Sequence, residues 1–293
     1  MKKIAIIGAG ISGLFIANLF KNNPNYQITI YEKNTSINLD EGYGVQLSVN
    51  SVKLLNEIGF QKLNNDKKFT PEKIIFYSNK SLDKICELDI TNFNSVDCKY
   101  TTLKRSSLIN FLKKDFGDLI KTGYKISEIN QNDKQIKLFF ENNEIKECDY
   151  LIISDGVFSK SKSIISNNQT QPRYNDTLAI RGILKKSCGN IDKKNISLIL
   201  GPNFHQVIYP TNPYGDLNFI AIMKYYLSSE QLKNYSLFSE NSFIKKVLEK
   251  IPSENKEFLN NLEELKIFPV FVSNNFFKLQ NDSIYLIGDA FFA

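Results

Sequence analysis

The stretch KKIAIIGAGISG, residues 2–13, constrains this chain more than any other. An apolar run, Ile4 to Ile7, ends at Gly8. Gly10 and Gly13 follow at the G-x-G-x-x-G spacing, and a helical pattern opens near Ser12. A second run, QITIY (27–31), ends at Glu32, 19 residues past Gly13. Strand, glycine loop, helix, strand and acid in this order make the dinucleotide-binding pattern. The first glycine permits a tight turn, the second lets backbone approach a pyrophosphate, and the third lets helix and strand pack closely. The helix N-terminus then offers unpaired N–H groups to phosphate. Glu32 stands near the ~20-residue spacing of a ribose-binding carboxylate. The competing reading, a secretion signal, needs an unbroken apolar run and a small-residue cleavage site, and the glycines interrupt it.

Further along, Val52, Leu54, Leu55 and Ile58 mark a helix with Ser48 or Asn50 as N-cap and Gly59 as its stop. Residues 73–78 and 84–90 read as strands. KRSSLINFL opens a helix whose apolar face is Leu108, Phe111, Leu112 and Phe116. Strands are expected at 123–129, 135–140 and 144–147. CDYLIISDG (148–156) and SIYLIGDA (283–290) are short apolar runs ending in Asp-Gly and Gly-Asp. Such runs suit strands buried on both faces of a parallel sheet, where ligands sit outside the carboxyl ends. Three strand ends, after Ile7, Ile153 and Ile287, therefore deliver glycine or aspartate to one edge. Between them, 174–185, 196–200, 204–210 and 217–224 read as strands of a second sheet. Helices near 229–234, 240–250 and 255–264 follow, then a strand near 265–271. A core strand returns at 284–287, so the second sheet is inserted rather than appended.

With 293 residues, 42% of them hydrophobic, the chain can bury a sizeable core in one or two domains. The formal charge of +6 comes from scattered lysines, and no nucleic-acid motif is present. No long apolar span is uninterrupted, so no transmembrane segment is expected. Cys86, Cys98, Cys148 and Cys188 form no C-x-x-C pair, and His205 is the only histidine. Zinc therefore lacks its usual ligand spacing, and no metal is expected. The cysteines read as reduced thiols of a cytoplasmic protein.

Taken together, these motifs make the chain resemble the FAD-dependent monooxygenases of the single-component aromatic hydroxylase type, the para-hydroxybenzoate and salicylate hydroxylase group. GAGISG with Glu32 resembles that family's N-terminal fingerprint, and GYGVQLSVNSVKLL its G-A-G-I-x-L-x-P-N segment. LKRSSLINFL resembles its R-x-x-L helix start, SDGVFSKSK its DG motif and YLIGDA its GD motif. AIRG and LGPNFHQVIYP resemble its substrate-domain strands. The resemblance implies an α/β fold: a Rossmann-like FAD-binding domain with an inserted mixed β-sheet substrate domain. Residues 1–72, 101–170 and 273–293 would form the first, its last part incomplete, and 73–100 and 171–272 the second.

The resemblance also implies roles. Gly8, Gly10 and Gly13 would hold the FAD pyrophosphate, and Glu32 the adenosine ribose, with Lys33 beside it. Gly44, Val45 and Gln46 would lie by the flavin ring, and Arg105 would reach the phosphate or ribityl region. Asp289 would bond the ribityl chain, with Gly288 permitting close approach. Asp155 and Gly156 belong to a motif linked to both FAD and NAD(P)H. The implied reaction takes NADPH or NADH and O₂, and hydroxylates a small aromatic or related ring through a flavin C4a-hydroperoxide. The cofactor carries that chemistry, and the protein positions the ring and excludes water. Arg181 could bind a substrate carboxylate through its fork of donors, or sit in an ion pair within the sheet. His205 could deprotonate a phenol, or be an ordinary strand residue. Tyr209 and Phe219 read as sheet packing. A homodimer is compatible with all of this.

Departures from the family pattern are Val49 in place of proline, Ile153-Ser154 in place of a Gly-Ala pair, and Lys162 where the DG motif ends in arginine. Lysine keeps the charge but not the planar fork. The chain ends at Ala293, just past the GD motif, where family members continue with a loop and further helices. The expectation is a fragment, with an apolar face left uncovered beside the 284–287 strand. Two other readings stay open: a quinone-biosynthesis hydroxylase, and a non-catalytic flavin-binding remnant.

Overall fold

A computed structural model describes residues 1–37, 39, 43–132, 135–167, 171–184, 191–251, 256–273 and 282–293. Cys188, the end of the 174–185 strand and the start of the 255–264 helix lie outside the described residues. The chain divides into two compact units. The first comprises residues 1–39, 108–174 and 271–293, the second 40–107 and 175–270. The division differs from the expected one at 40–72 and 101–107, which fall in the second unit, and at 171–174 and 271–272, which fall in the first. In the second unit Gly44–Leu47 pairs with Thr101–Lys104, and the Gly44 N–H donates to Asn218 Oδ1 at 2.5 Å.

The first unit is built on a five-stranded sheet. Its order is Ile284–Leu286, Tyr150–Ile153, Lys2–Ile7, Tyr26–Glu32 and Ile120–Thr122, with every pair parallel. One face carries Ala5, Ile7, Leu151, Ile153 and Ile284, packed with Ile136, Leu138 and Phe140 of a three-stranded antiparallel meander. The other face meets the Ile11–Phe20 helix, where Ile6, Leu14, Ala17 and Ile30 are fully buried. Beside that helix, Ile16, Phe20, Ile152, Tyr285 and Ile287 line an apolar groove of about 410 Å³. The strand expected at 123–129 runs from Ile126 to Gln131, and a short strand that was not expected, Ile120–Thr122, precedes it. Gly123, at φ +76°, lies between them.

The second unit contains a seven-stranded mixed sheet. Its order is Leu262–Val272, Arg173–Leu184, Leu217–Lys224, Phe204–Pro210, Ile196–Gly201, Lys73–Ser78 and Lys84–Asp89. The Ile196–Gly201 and Lys73–Ser78 strands run parallel, and the other registered pairs are antiparallel. One face is covered by helical segments that include Asn241–Glu249, with Phe238, Phe243, Val247 and Phe258 packed on Leu178, Ile180 and Phe219. Phe219 is thus the packing residue expected. The helix expected to reach 264 ends at Asn260, and Leu262 begins the last strand of this sheet. Among the described residues no helix is long and apolar enough to cross a membrane. No group of three His, Cys, Asp or Glu side chains among them could hold a metal. Cys86, Cys98 and Cys148 are free, and burial pushes the Cys148 thiol up to about 12.

Candidate functional site

In the first unit, Ile7 stands opposite Ile153, and Ile153 opposite Leu286. Parallel pairing therefore brings Gly8, Ser154 and the Gly288 turn out on one edge. Gly8 leaves its strand at φ +103°, a conformation that favours glycine. A Cβ there would stand 2.6 Å from the Ser154 carbonyl oxygen, and a Cβ on Gly13 would run into the carbonyl oxygen of Gly8. Gly10 is different, because nothing lies within 4 Å of the place its Cβ would take. With Gly8, Glu32, Lys33, Asp155 and Gly156 it lines a crevice of about 570 Å³. Two glycines are thus needed for packing and one for open space.

Glu32 ties the crevice together. Its Oε2 accepts the Ala9 N–H and its Oε1 the Asn34 N–H, both at 3.0 Å. Each carboxylate oxygen keeps a second lone pair, so two hydroxyls of a ribose can still donate to it. Lys33 is exposed at the rim. The Ser154 hydroxyl bridges the carbonyl oxygens of Ile7 (2.9 Å) and Gly8 (3.1 Å). That serine locks two strand tips together.

Asp155 follows. Its Oδ2 accepts the Ser161 N–H at 3.1 Å, while its Oδ1 and the Ser161 Oγ are buried without a hydrogen-bond partner. Buried polar atoms are normally satisfied, so this pair marks a place where a donor is wanted. Asp289 is exposed at the tip of the third strand. Gly288 beside it has φ +58°, and a Cβ on it would overlap Ser12 Oγ at the start of the first helix. Gly8, Gly10, Gly13, Glu32, Asp155, Gly156, Gly288 and Asp289 therefore share one edge of one unit.

The remaining residues expected at a site lie in the second unit. Gly44, Val45 and Gln46 form a short strand, and Gln46 Oε1 accepts the Tyr100 hydroxyl at 2.9 Å. Arg105 opens a helix, and its N–H donates to the Tyr43 carbonyl oxygen at 2.7 Å. Register puts Arg181, Val207 and Ile220 in one row of the large sheet, and Ile183, Tyr209 and Asn218 in the next. These rows lie on the face opposite the helix-covered core, because side chains alternate along a strand. Tyr209 is 3% exposed and stands opposite Asn218 in the sheet. Burial raises its pKa well above the usual phenol value, and the Arg181 charge works against that rise. The Arg181 guanidinium lies 5.6 Å from the Tyr43 ring centroid. It makes no ion pair among the described residues. His205 shares the face but sits one row beyond Arg181, away from Tyr209, opposite Leu200 and Ile222. Burial lowers its pKa.

Sequence reasoning missed Ser12, Tyr43, Tyr100 and Asn218, and it treated Tyr209 as packing alone. A buried tyrosine normally finds a partner for its hydroxyl, which was the available signal for Tyr209. Nothing local marks the others, since their partners lie far away along the chain.

Residues 6–39 match the NAD(P)-binding Rossmann-like domain family. The chain is 22% identical over 227 residues to 3-amino-4-hydroxybenzoate 2-monooxygenase PtnB3 of Streptomyces platensis, covering 75% of this chain and 56% of that one. It is 21% identical over 239 residues to a salicylate hydroxylase of Pseudomonas putida, covering 75% and 54%. The chain thus spans about half the length of the curated relatives it matches. Among solved structures, Klebsiella pneumoniae HpxO complexed with FAD and uric acid superposes with a TM-score of 0.86 at 15% identity, over 100% of this chain and 74% of that one. A salicylate hydroxylase substrate complex gives 0.73 at 16% identity, over 99% and 73%. The fold is therefore theirs: a Rossmann-like parallel sheet with a mixed sheet inserted.

Proposed function

We propose, from that likeness to FAD-dependent aromatic hydroxylases, that this chain carries the FAD-binding and ring-binding parts of a flavin monooxygenase acting on a small aromatic or related ring. One observation supports this above the rest. Three parallel strand tips in the first unit present the glycine loop, Asp155 and Asp289 on a single edge. The residues present fit the cofactor. Gly10 leaves open space where a pyrophosphate needs close backbone approach, and Glu32 retains acceptor capacity for a ribose.

Bound FAD would supply the redox chemistry, taking reducing equivalents from NADPH or NADH and using O₂ to oxygenate the ring. The protein's own tasks are binding and orientation. In the first unit Gly8, Gly10 and Gly13 hold the phosphates, Glu32 the ribose with Lys33 beside it, and Asp289 the ribityl chain. Asp155 and Gly156 serve the dinucleotide edge. In the second unit Gly44, Val45 and Gln46 serve the flavin ring and Arg105 the phosphate or ribityl region. Arg181, with no ion-pair partner among the described residues, binds an anionic group on the substrate. Tyr209 resists ionisation, so it donates a hydrogen bond rather than accepting a proton. His205, one row removed, is a secondary candidate for a substrate contact.

Purified protein reconstituted with FAD tests this reading. A flavin spectrum, with NAD(P)H oxidation stimulated by a hydroxybenzoate-type compound, supports it. A protein that takes up FAD but never oxidises NAD(P)H is a non-catalytic flavin binder. A protein that ignores FAD overturns the reading altogether.

A further inference from the structure

Among the described residues of the first unit, Lys162 is the most deeply buried lysine, at 5% exposure. Its Nζ donates to Ser273 Oγ at 3.1 Å and to the Phe291 carbonyl oxygen at 3.3 Å. Both acceptors are neutral, and Lys162 makes no ion pair among the described residues. Burial accordingly depresses its pKa. A buried ammonium without a counter-charge is costly, and a well-packed apolar side chain of similar size is often neutral or better for stability. Lys162 is therefore a poor way to stabilise a fold. What it does is join three distant segments. Its own N–H is capped by Ser159 Oγ at 2.8 Å, at the start of the Lys160–Ile165 helix. The neighbouring Ser161 N–H binds Asp155 Oδ2. Its side chain reaches the far end of the turn that begins at Gly288, which is closed by the Phe291 and Phe292 N–H groups on the Gly288 carbonyl oxygen.

That turn is held at two ends. Gly288 lies against Ser12 of the glycine-loop helix, and Phe291 hangs from Lys162. Asp289 stands between them with no hydrogen-bond partner among the described residues. We propose that Lys162 is a positioning residue: through the Phe291 carbonyl and Ser273 it fixes the Gly288–Phe291 turn, so that Asp289 and Asp155 are placed by one short helix. The claim deepens the FAD reading given above and rests on it for the role of Asp289.

The test compares the parent with Lys162→Met, Lys162→Arg and Ser273→Ala, and reads more than activity. Amide hydrogen exchange of Phe291 and Phe292 in the FAD-free protein reports the turn directly. Lys162→Met should speed exchange there at least 10-fold, with little change in melting temperature. FAD affinity should fall about 10-fold or more, whereas ADP, which lacks the ribityl chain, should bind within 2-fold of the parent. Lys162→Arg, which keeps donors and charge, should restore most of the FAD affinity. In an Asp289→Ala background Lys162→Met should add less than 2-fold, the non-additivity expected when one residue acts through another. If Lys162→Met does not fold, Ser273→Ala decides: faster exchange at Phe291 and Phe292 supports the claim, and unchanged exchange overturns it. Equal losses of FAD and ADP, or an unaffected turn in a folded Lys162→Met, also overturn it. Failure of the parent to bind FAD instead removes the functional reading, while the exchange measurement still tests the hold on the turn.

Discussion

The two units place their polar groups in opposite ways. In the first, the groups of interest sit on backbone turns at strand ends, and each turn belongs to a local sequence pattern. In the second, they sit on side chains in the middle of a sheet face, brought together by pairing between distant strands. Gln46 meets Tyr100 across 54 residues, and Gly44 meets Asn218 across 174. The contrast shows that a site made of turns is specified by spacing, whereas a site made of a sheet face is specified by register.

The sharpest way to break the comparison is to fill a packing glycine. Gly13→Ala places a methyl against the Gly8 carbonyl oxygen and should destabilise the protein by about 3 kcal/mol, measured by urea unfolding. A loss below a few tenths of a kcal/mol would mean that the glycine loop is not the tight unit described. Next in size is Asn218→Ala in the second unit. It strips the Gly44 N–H of its partner, at a cost of about 2 kcal/mol. It should leave FAD affinity for the first unit's residues less affected than Gly13→Ala does. Equal effects on affinity would erase the distinction between the units.

The smallest expected effect concerns acid. Asp149 accepts the Lys3 N–H at 2.7 Å and pairs with Lys2 at 3.1 Å. These contacts hold its carboxyl below the usual 3.8. A depressed pKa in the folded state gives stability that is present above pH 4 and lost as pH falls through the folded value. Asp149→Asn should therefore flatten the acid side of the stability curve and leave the slope above pH 6 unchanged. An unaltered acid limb would show that this strand-edge contact contributes nothing.

Legibility from sequence follows the same line. The strand–glycine–helix–strand–acid unit could be read directly, because each residue acts on neighbours within a few positions. Asp155 and Asp289 could be read as strand tips because unbroken apolar runs signal a parallel sheet. The insertion of a mixed sheet was legible from the returning strand at 284–287. What the sequence could not show was which face of the second sheet Arg181, Tyr209 and His205 share, since a one-residue change of register inverts every side chain. Nor could it show that Lys162, recognisable only as a substitution for arginine, reaches Phe291 across 129 residues. The early end of the helix at Asn260 was missed for a simpler reason: Leu262 and Leu265 continue the apolar pattern past the point where the chain turns.

The central claim is that the first unit's three strand tips form one dinucleotide-binding edge, and Gly10→Val tests it most directly. Gly10 has φ −80°, which any residue adopts, and open space where a side chain would go. Titration of FAD into parent and variant, alongside urea unfolding, should show unchanged stability to within about 0.5 kcal/mol and at least a 100-fold loss of FAD affinity. A folded Gly10→Val protein that binds FAD as tightly as the parent would contradict the account.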